Sequence, residues 1–459
     1  MEKKGKLWQP LPTLQERMDY GKSQRAQVPR EAHAAFEFFN GKRADPVALI
    51  VESNKNRLPE LVPIRHMRML QSAFAFYRGT ANVMAEDMAY TPTTNIFVQS
   101  CGDCHLMNFG GYGTPERNQV FDINDFDETL PAPFEWDLKR LAASIVVAGR
   151  YKGYADKENK KTAFETIKMY CRKMRKYSTM HQLDIWYSRL DKKTILNVFR
   201  NQKEFTTRFK MAAEKARLRT LEHAFPKLSE IKDGQRRIID EPPLIYHLPE
   251  SEELTKRAEG IFEGYFENLT DDKKALMRRF HLVDVAVKVV GVGSVGTRCF
   301  IALFLSEEDD PLILQIKEAN SSVLENHTKK SIYDNHGARI VNGQRLMQAV
   351  SDIFLGWTRS NIGRDFYVRQ LRDMKASAEI DTFTPGLFSS YGLLCGWALA
   401  KSHAKSGMSP EIAGYIGKSD VFAEAIASFA IKYADQAEKD FQALRVAAEN
   451  KVIEVQLTN

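Results

Sequence analysis

Residues 283–305 read VDVAVKVVGVGSVGTRCFIALFL, two apolar and β-branched runs joined by a glycine turn. Such runs form strands, and glycines between them close a hairpin. SEEDDP then turns the chain into LILQIKEA, a third strand over 312–319. This is the clearest strand block in a chain that otherwise carries mostly helical periodicity. An antiparallel block set among helices predicts an α+β fold.

The chain has 459 residues, too many for one simple core, so two or three lobes are expected. Its hydrophobic fraction of 43% suits a folded protein. No window offers ~18 consecutive apolar residues, which excludes a conventional membrane-spanning helix. The N-terminal MEKKGKLWQPLPTLQERMDYGK has no apolar core of a secretory signal. The 5 cysteines are odd in number and scattered, which argues against a disulfide framework. A cytoplasmic location is the expectation. Residues 151–240 hold 23 Lys+Arg against 11 Asp+Glu, a net +12 within a chain of net +7. That region could attract nucleic acid, or it could be a solvated basic helical face.

Along the chain, residues 1–60 carry five prolines and read as an arm with one helix near 30–39. Residues 63–90 are helical, with Met67, Leu70, Phe74 and Tyr77 at helical spacing and a break at Gly79. NIFVQS and QVFDI are short strands around the loop CGDCHLMNFGGYG. A long helix starts near Phe134. Further helices are expected near 157–180, 196–224, 251–267, 271–280 and 339–356, and again over 387–448. FYVRQL is one more strand.

Three constellations bear on chemistry. Gly291, Gly293 and Gly296 sit in the hairpin, where backbone amides can approach the phosphates of a nucleotide. Lys317 follows Gly296 by 21 residues, so its strand can lie beside that hairpin. A buried lysine needs a partner, and phosphate would serve; Glu325 is a candidate carboxylate for it. The third is CGDCHLMNFG with VFDINDFDE. Asp103 can orient or deprotonate a hydroxyl. Asn108 and Asp122 supply oxygen ligands of the kind Mg²⁺ takes. Asp125, Asp127 and Glu128 add acid to the same loop. Arg78 reads either as a phosphate ligand or, preferably, as scaffold paired with Asp87 or an acidic loop residue.

C-G-D-C-H-L-M-N resembles the H-G-D-x-H-x-x-N catalytic loop of aminoglycoside and choline kinase-like phosphotransferases, with Cys101 in place of the leading His. VFDIND resembles their metal-binding strand, and EWDLKRLA the helix start after it. More closely, RLPELVPIRHMRM, AFYRGTANVMAEDMA, CGDCHLMNFG, NDFDETLPAPFEWDLKRLAAS, YVRQLRDMK and GWALAKSHAKSG resemble domain of unknown function 2252, a bacterial family similar to protein kinases. The resemblance implies a two-lobe kinase-like fold. It also implies permutation, because Gly291 follows Asp103 by 188 residues instead of preceding it. YGLLCGWALAKSHAKSG resembles the helix that normally enters the catalytic loop, so residues 385–406 should pack beside residues 95–108.

This reading divides the chain into an arm (1–60), a catalytic-loop part of the large lobe (61–150), a basic helical insertion or cap (151–282), a small β-rich nucleotide lobe (283–375) and C-terminal helices of the large lobe (376–459). The implied activity is ATP- and Mg²⁺-dependent transfer to a hydroxyl acceptor, small molecule or protein. Asp103 acts on the acceptor, Asn108 and Asp122 hold the metal, and Lys317 and the glycines hold the nucleotide. FYVRQL would contact the adenine. The alternatives are a nucleotide-binding module without transfer, and a nucleic-acid-binding protein using 151–240. Cys101, Cys104 and His105 also form a C-x-x-C-H pattern, formally that of haem attachment or of a redox pair.

Overall fold

The computed structural model describes residues 10–36, 43–219, 221–249, 252–371 and 374–456. The fold is α+β, with antiparallel sheets among many helices. The strand block becomes part of a six-stranded sheet. Its order is Gly356–Arg359, Asp365–Gln370, Pro311–Glu318, Cys299–Leu305, His281–Lys288 and Ile245–Tyr246. His281–Lys288 and Cys299–Leu305 pair directly, so residues 289–298 form the hairpin connection the glycines predict. Lys317 lies opposite Cys299 on one side and Tyr367 on the other.

Alternation along the strand gives its two faces different work. Leu312, Leu314 and Ile316 pack with Tyr265, Leu269 and Met277 on the outer side. The opposite face carries Ile313, Gln315 and Lys317, and the last two reach a large cavity. The helix His336–Met347 follows the lysine strand in the chain and packs against Gly356–Arg359 and Asp365–Gln370.

The helical part centres on Phe134–Tyr151, which begins where the sequence places it and is buried from Phe134 to Gly149. Its neighbours are Ala73–Arg78, Asp156–Tyr177 and Val421–Glu449. Pro385–Ser406 packs against Asp156–Tyr177. It also lies against residues 99–109. Tyr391 donates to the carbonyls of Leu106 (3.2 Å) and Phe109 (3.0 Å), and Ser406 to that of Gln99 (3.3 Å).

Several expectations need revision. Residues 151–282 are not one cap. Asp156–Tyr177 is core of the helical part, with Tyr170 and Met174 fully buried, whereas Ile245–Tyr246 is an edge strand of the large sheet and the helix Glu252–Glu267 packs on that sheet. The expected helix at 196–224 is three pieces, Lys192–Val198, Lys203–Arg217 and Leu221–Leu228. The arm carries a helix that was not expected. Leu14–Ser23 packs so closely on Ser409–Ile416 that a Cβ at Gly21 would stand 1.9 Å from the Glu411 carbonyl oxygen. The helix expected near 30–39 is a single 3-10 turn, Arg30–Ala34, and residues 37–39 lie outside the described ones. The 63–90 stretch breaks after Met69 as well as at Gly79, so its apolar stripe feeds separate clusters instead of one face.

Candidate active site

The loop CGDCHLMN, residues 101–108, is fixed from below by the helix Phe134–Tyr151. Asp137, in its first turn, accepts from the amides of Cys101 (2.7 Å) and Gly102 (3.0 Å). His403, on Pro385–Ser406, adds a third contact to Asp137 at 3.1 Å. Gly102 has φ +81°, and a Cβ there would lie 2.3 Å from the Glu128 carbonyl oxygen. Only glycine meets both conditions without strain.

This anchoring presents Asp103. Its Oδ1 accepts two bonds from Arg140, from Nε (2.9 Å) and Nη2 (2.8 Å). Arg140 is itself held by the Tyr77 carbonyl (2.7 Å) and lies 4.0 Å from the Tyr77 ring centroid. Oδ2 is left facing His105 Nε2 at 3.8 Å. Burial raises the Asp103 pKa, with Arg140 opposing it. The Met107 amide donates to Nδ1 of His105 (3.1 Å), which places the ring proton on Nε2. Burial, with Arg78 and Arg140 nearby, keeps that ring neutral. Asn108 donates through Nδ2 to the Asp103 carbonyl (2.5 Å), and its Oδ1 remains for the cavity.

The cavity has a volume of about 860 Å³. Asp103, Asn108, Asp125, Asp127 and Glu128 line it together with Gly291, Gly293, Ser294, Lys288, Lys317 and Arg369. Ile353, Phe354 and Leu371 give it an apolar end beside the strand FYVRQL. Asp103, Asn108, Lys317, Gly291 and Gly293 are therefore brought together. Gly296 is not. It has φ +88° and packs on Arg57, so it serves the turn and not the cavity wall.

Asp122 also stands apart. Its side chain is 1% exposed and forms a close ion pair with Lys401, which is fully buried. It also accepts from the Ala349 amide (2.9 Å). Both oxygens are spent inside the protein, and the residue does not line the cavity. The strand alternation of Gln119–Ile123 turns Asp122 inward, whereas Asp125 lies past the strand end and reaches the cavity. Burial and Asp127 raise the Asp125 pKa.

Lys317 pairs with Asp127 and not with Glu325. Asp127 Oδ2 takes the lysine in a close contact and accepts from Ser294 Oγ (3.1 Å); Oδ1 accepts from Tyr367 (2.8 Å). Glu325 is instead the capping-box residue of its own turn, opposite Ser322. The sequence signal for Asp127 was its place in a run with four carboxylates, DINDFDE. Glu128 accepts from the Val323 amide (2.7 Å), and burial raises its pKa to about 7. Arg78 lines the cavity. Asp87 is taken by Arg43 and Tyr433, so it is not the partner of Arg78.

Comparison with known proteins agrees on one point. The family described as uncharacterized protein conserved in bacteria (DUF2252) matches residues 57–447. The chain belongs to this family. No curated protein and no solved structure matches it. In this DUF2252 protein the C-x-x-C-H pattern is closed to haem and redox chemistry at the surface. The Cys101 and Cys104 side chains are 1% and 0% exposed, both are free thiols, and the Cys101 pKa is pushed up to about 11. A protonated, sealed thiol is a poor nucleophile. No helix among the described residues is long and apolar enough to cross a membrane.

Proposed function

We propose that this DUF2252 protein is an ATP- and Mg²⁺-dependent phosphotransferase acting on a hydroxyl acceptor. One observation carries the reading. A carboxylate held through one oxygen, Asp103, lines one cavity together with a glycine hairpin and a buried lysine. Phosphoryl transfer asks for positioning and charge neutralisation more than for covalent chemistry.

The residues fit the groups such a reaction uses. The cavity wall carries eight Lys and Arg side chains (Arg57, Arg65, Arg78, Arg117, Lys288, Lys317, Arg369, Lys375) and five carboxylates (Asp103, Asp125, Asp127, Glu128, Asp352). A surplus of cations suits a polyphosphate. Among the described residues no group of three or more His, Cys, Asp or Glu could hold a metal alone. Mg²⁺ in nucleotide sites takes one or two carboxylates and completes its shell with phosphates and water. Asn108 Oδ1 and Asp125 are the residues to hold it. When bound, it would neutralise charge on the transferring phosphoryl group.

Lys317 and Lys288 would face the phosphates below the glycine hairpin. Asp103 Oδ2 would take the hydrogen bond, and then the proton, of the acceptor hydroxyl. Arg140 holds Oδ1, fixing the carboxylate plane and keeping Oδ2 free. The apolar end at Ile353, Phe354 and Leu371 suits a base ring. The order of parts supports a permuted kinase-like arrangement. Hairpin, lysine strand and helix follow each other as in kinases, and Pro385–Ser406 reaches the catalytic loop from the far end of the chain. One departure stands. Kinases pair this lysine with a helix glutamate, and here its partner is Asp127.

Asp103→Asn keeps the bond from Arg140 but removes the base. It is expected to lower turnover, read as ADP released against a panel of hydroxyl compounds, by about 10²-fold or more, while nucleotide affinity stays within about twofold. A variant turning over at the wild-type rate contradicts the role. A wild type that binds ATP and transfers to none of the panel favours a binding module without transfer.

A further inference from the structure

Beside Asp103, and packed against the glycine hairpin, part of the cavity wall is built by residues 53–82. It contains three guanidinium groups, Arg57, Arg65 and Arg78. None of them has a carboxylate within ion-pair distance among the described residues. Arg57 donates to the carbonyls of Gly293 (2.9 Å) and Val295. Arg65, 1% exposed, donates to Ser53, Asn54 and the Gly79 carbonyl (3.1 Å). Those two cations are spent on neutral acceptors that shape the wall.

Arg78 differs. Its Nε, like that of Arg65, is buried without a hydrogen-bond partner, but Arg65 bonds through its other nitrogens, whereas Arg78 makes no side-chain hydrogen bond among the described residues. Its guanidinium lies 5.9 Å from the Phe74 ring centroid. Burial destabilises all three charges, and Asp103 acts on Arg78 without forming an ion pair. Arg78 is partly buried, and a half-desolvated cation that makes no hydrogen bond or ion pair is one that an anion in the cavity would stabilise. The planar fork of Arg suits a phosphate or a carboxylate.

We propose that Arg78 is the anchor of an oxyanion site, and that the acceptor is therefore a hydroxyl compound carrying its own phosphate or carboxylate. This rests on the phosphotransferase reading for the word acceptor. The oxyanion site itself rests on the wall alone. The acid–base partner and the anchor are then neighbours: Asp103 Oδ2 meets the hydroxyl while Arg78 holds the charged end. The nucleotide phosphates are left to Lys288, Lys317 and Arg369 on the sheet side.

The test titrates inorganic phosphate, and acetate in parallel, into the full-length protein by calorimetry, with and without a saturating non-hydrolysable ATP analogue and Mg²⁺. The site predicts that at least one of the two anions binds and still binds when the analogue is present. Arg78→Met should weaken that binding by about tenfold or more, the value of one charge-assisted bond, and leave analogue affinity unchanged. Ala81→Asp provides a second variant. Ala81 lines the same wall at the first position of the helix Ala81–Met88, where an acid is tolerated. It should repel the anion even if Arg78→Met does not fold. Failure of both anions to bind, or unchanged binding in a folded variant, overturns the site. So does displacement of the anion by the analogue together with weaker analogue binding in Arg78→Met, because Arg78 would then belong to the nucleotide. Anion binding without analogue binding keeps the oxyanion site and overturns the phosphotransferase reading instead.

Discussion

Two aspartates three residues apart, one on a strand and one just past its end, do opposite things. Asp122 is locked to Lys401 in the protein interior, and Asp125 opens onto the cavity. Removing one partner of a buried ion pair leaves the other charge stranded, at about 3–5 kcal/mol. Asp122→Ala should therefore lower the thermal midpoint sharply. Asp122→Ala with the wild-type midpoint contradicts the structural role. Glu128 gives a pH signature at the same scale. Its folded pKa of about 7 lies above the ordinary carboxylate value of 4.5. The native state thus holds the proton more tightly, so the stability from this group is full below about 4.5 and is lost as pH rises through about 7. Glu128→Gln should remove that part of the decline. Stability-versus-pH curves of variant and wild type that stay parallel from pH 4.5 to 7.5 would count against it.

At the scale of elements, the strand block, the glycine hairpin, the lysine strand and the helix starting at Phe134 were legible because each has a strong local pattern. Lys317 beside the hairpin followed from chain length and antiparallel pairing alone. What was not legible depends on long-range contacts. Nothing near Asp122 announces Lys401, 279 residues away, and nothing near Lys317 announces Asp127, 190 residues away. Gly296 looked like a ligand glycine, because the motif does not separate a residue that shapes the turn from one that lines the wall. The helix Pro385–Ser406 was placed beside residues 95–108 by a resemblance, and Tyr391 and Ser406 make that contact through hydrogen bonds. The loop's own geometry gives a prediction here. Gly102→Ala puts a Cβ against Glu128 at a positive φ, a strain of about 1–3 kcal/mol. It should lower both stability and turnover, since Asp103 is the next residue. A variant as active and as stable as wild type would show that the loop is not held as described.

Across the whole molecule, segments from early and late in the chain are tied together. Arg43 joins Asp87 (2.7 Å) to Asp440 (2.6 Å) on the final helix, and Arg25 holds the Tyr415 carbonyl (2.8 Å). The basic 151–240 segment is divided in the same way. Lys168 pairs with Asp420, Lys192 with Glu214, and Arg175 donates to the Gly417 carbonyl. Several of its cations thus brace the fold instead of forming one continuous free face. The sheet and the helical core both contribute to a single cavity, so binding there should be visible as heat and as stabilisation. Calorimetric titration of ATP, with and without Mg²⁺, into wild type and Asp125→Ala tests the central claim most directly. The account predicts ATP binding that Mg²⁺ strengthens in wild type, and loss of that Mg²⁺ dependence in a folded Asp125→Ala. Folded wild type that binds no ATP, or binds it equally well without Mg²⁺, would contradict it.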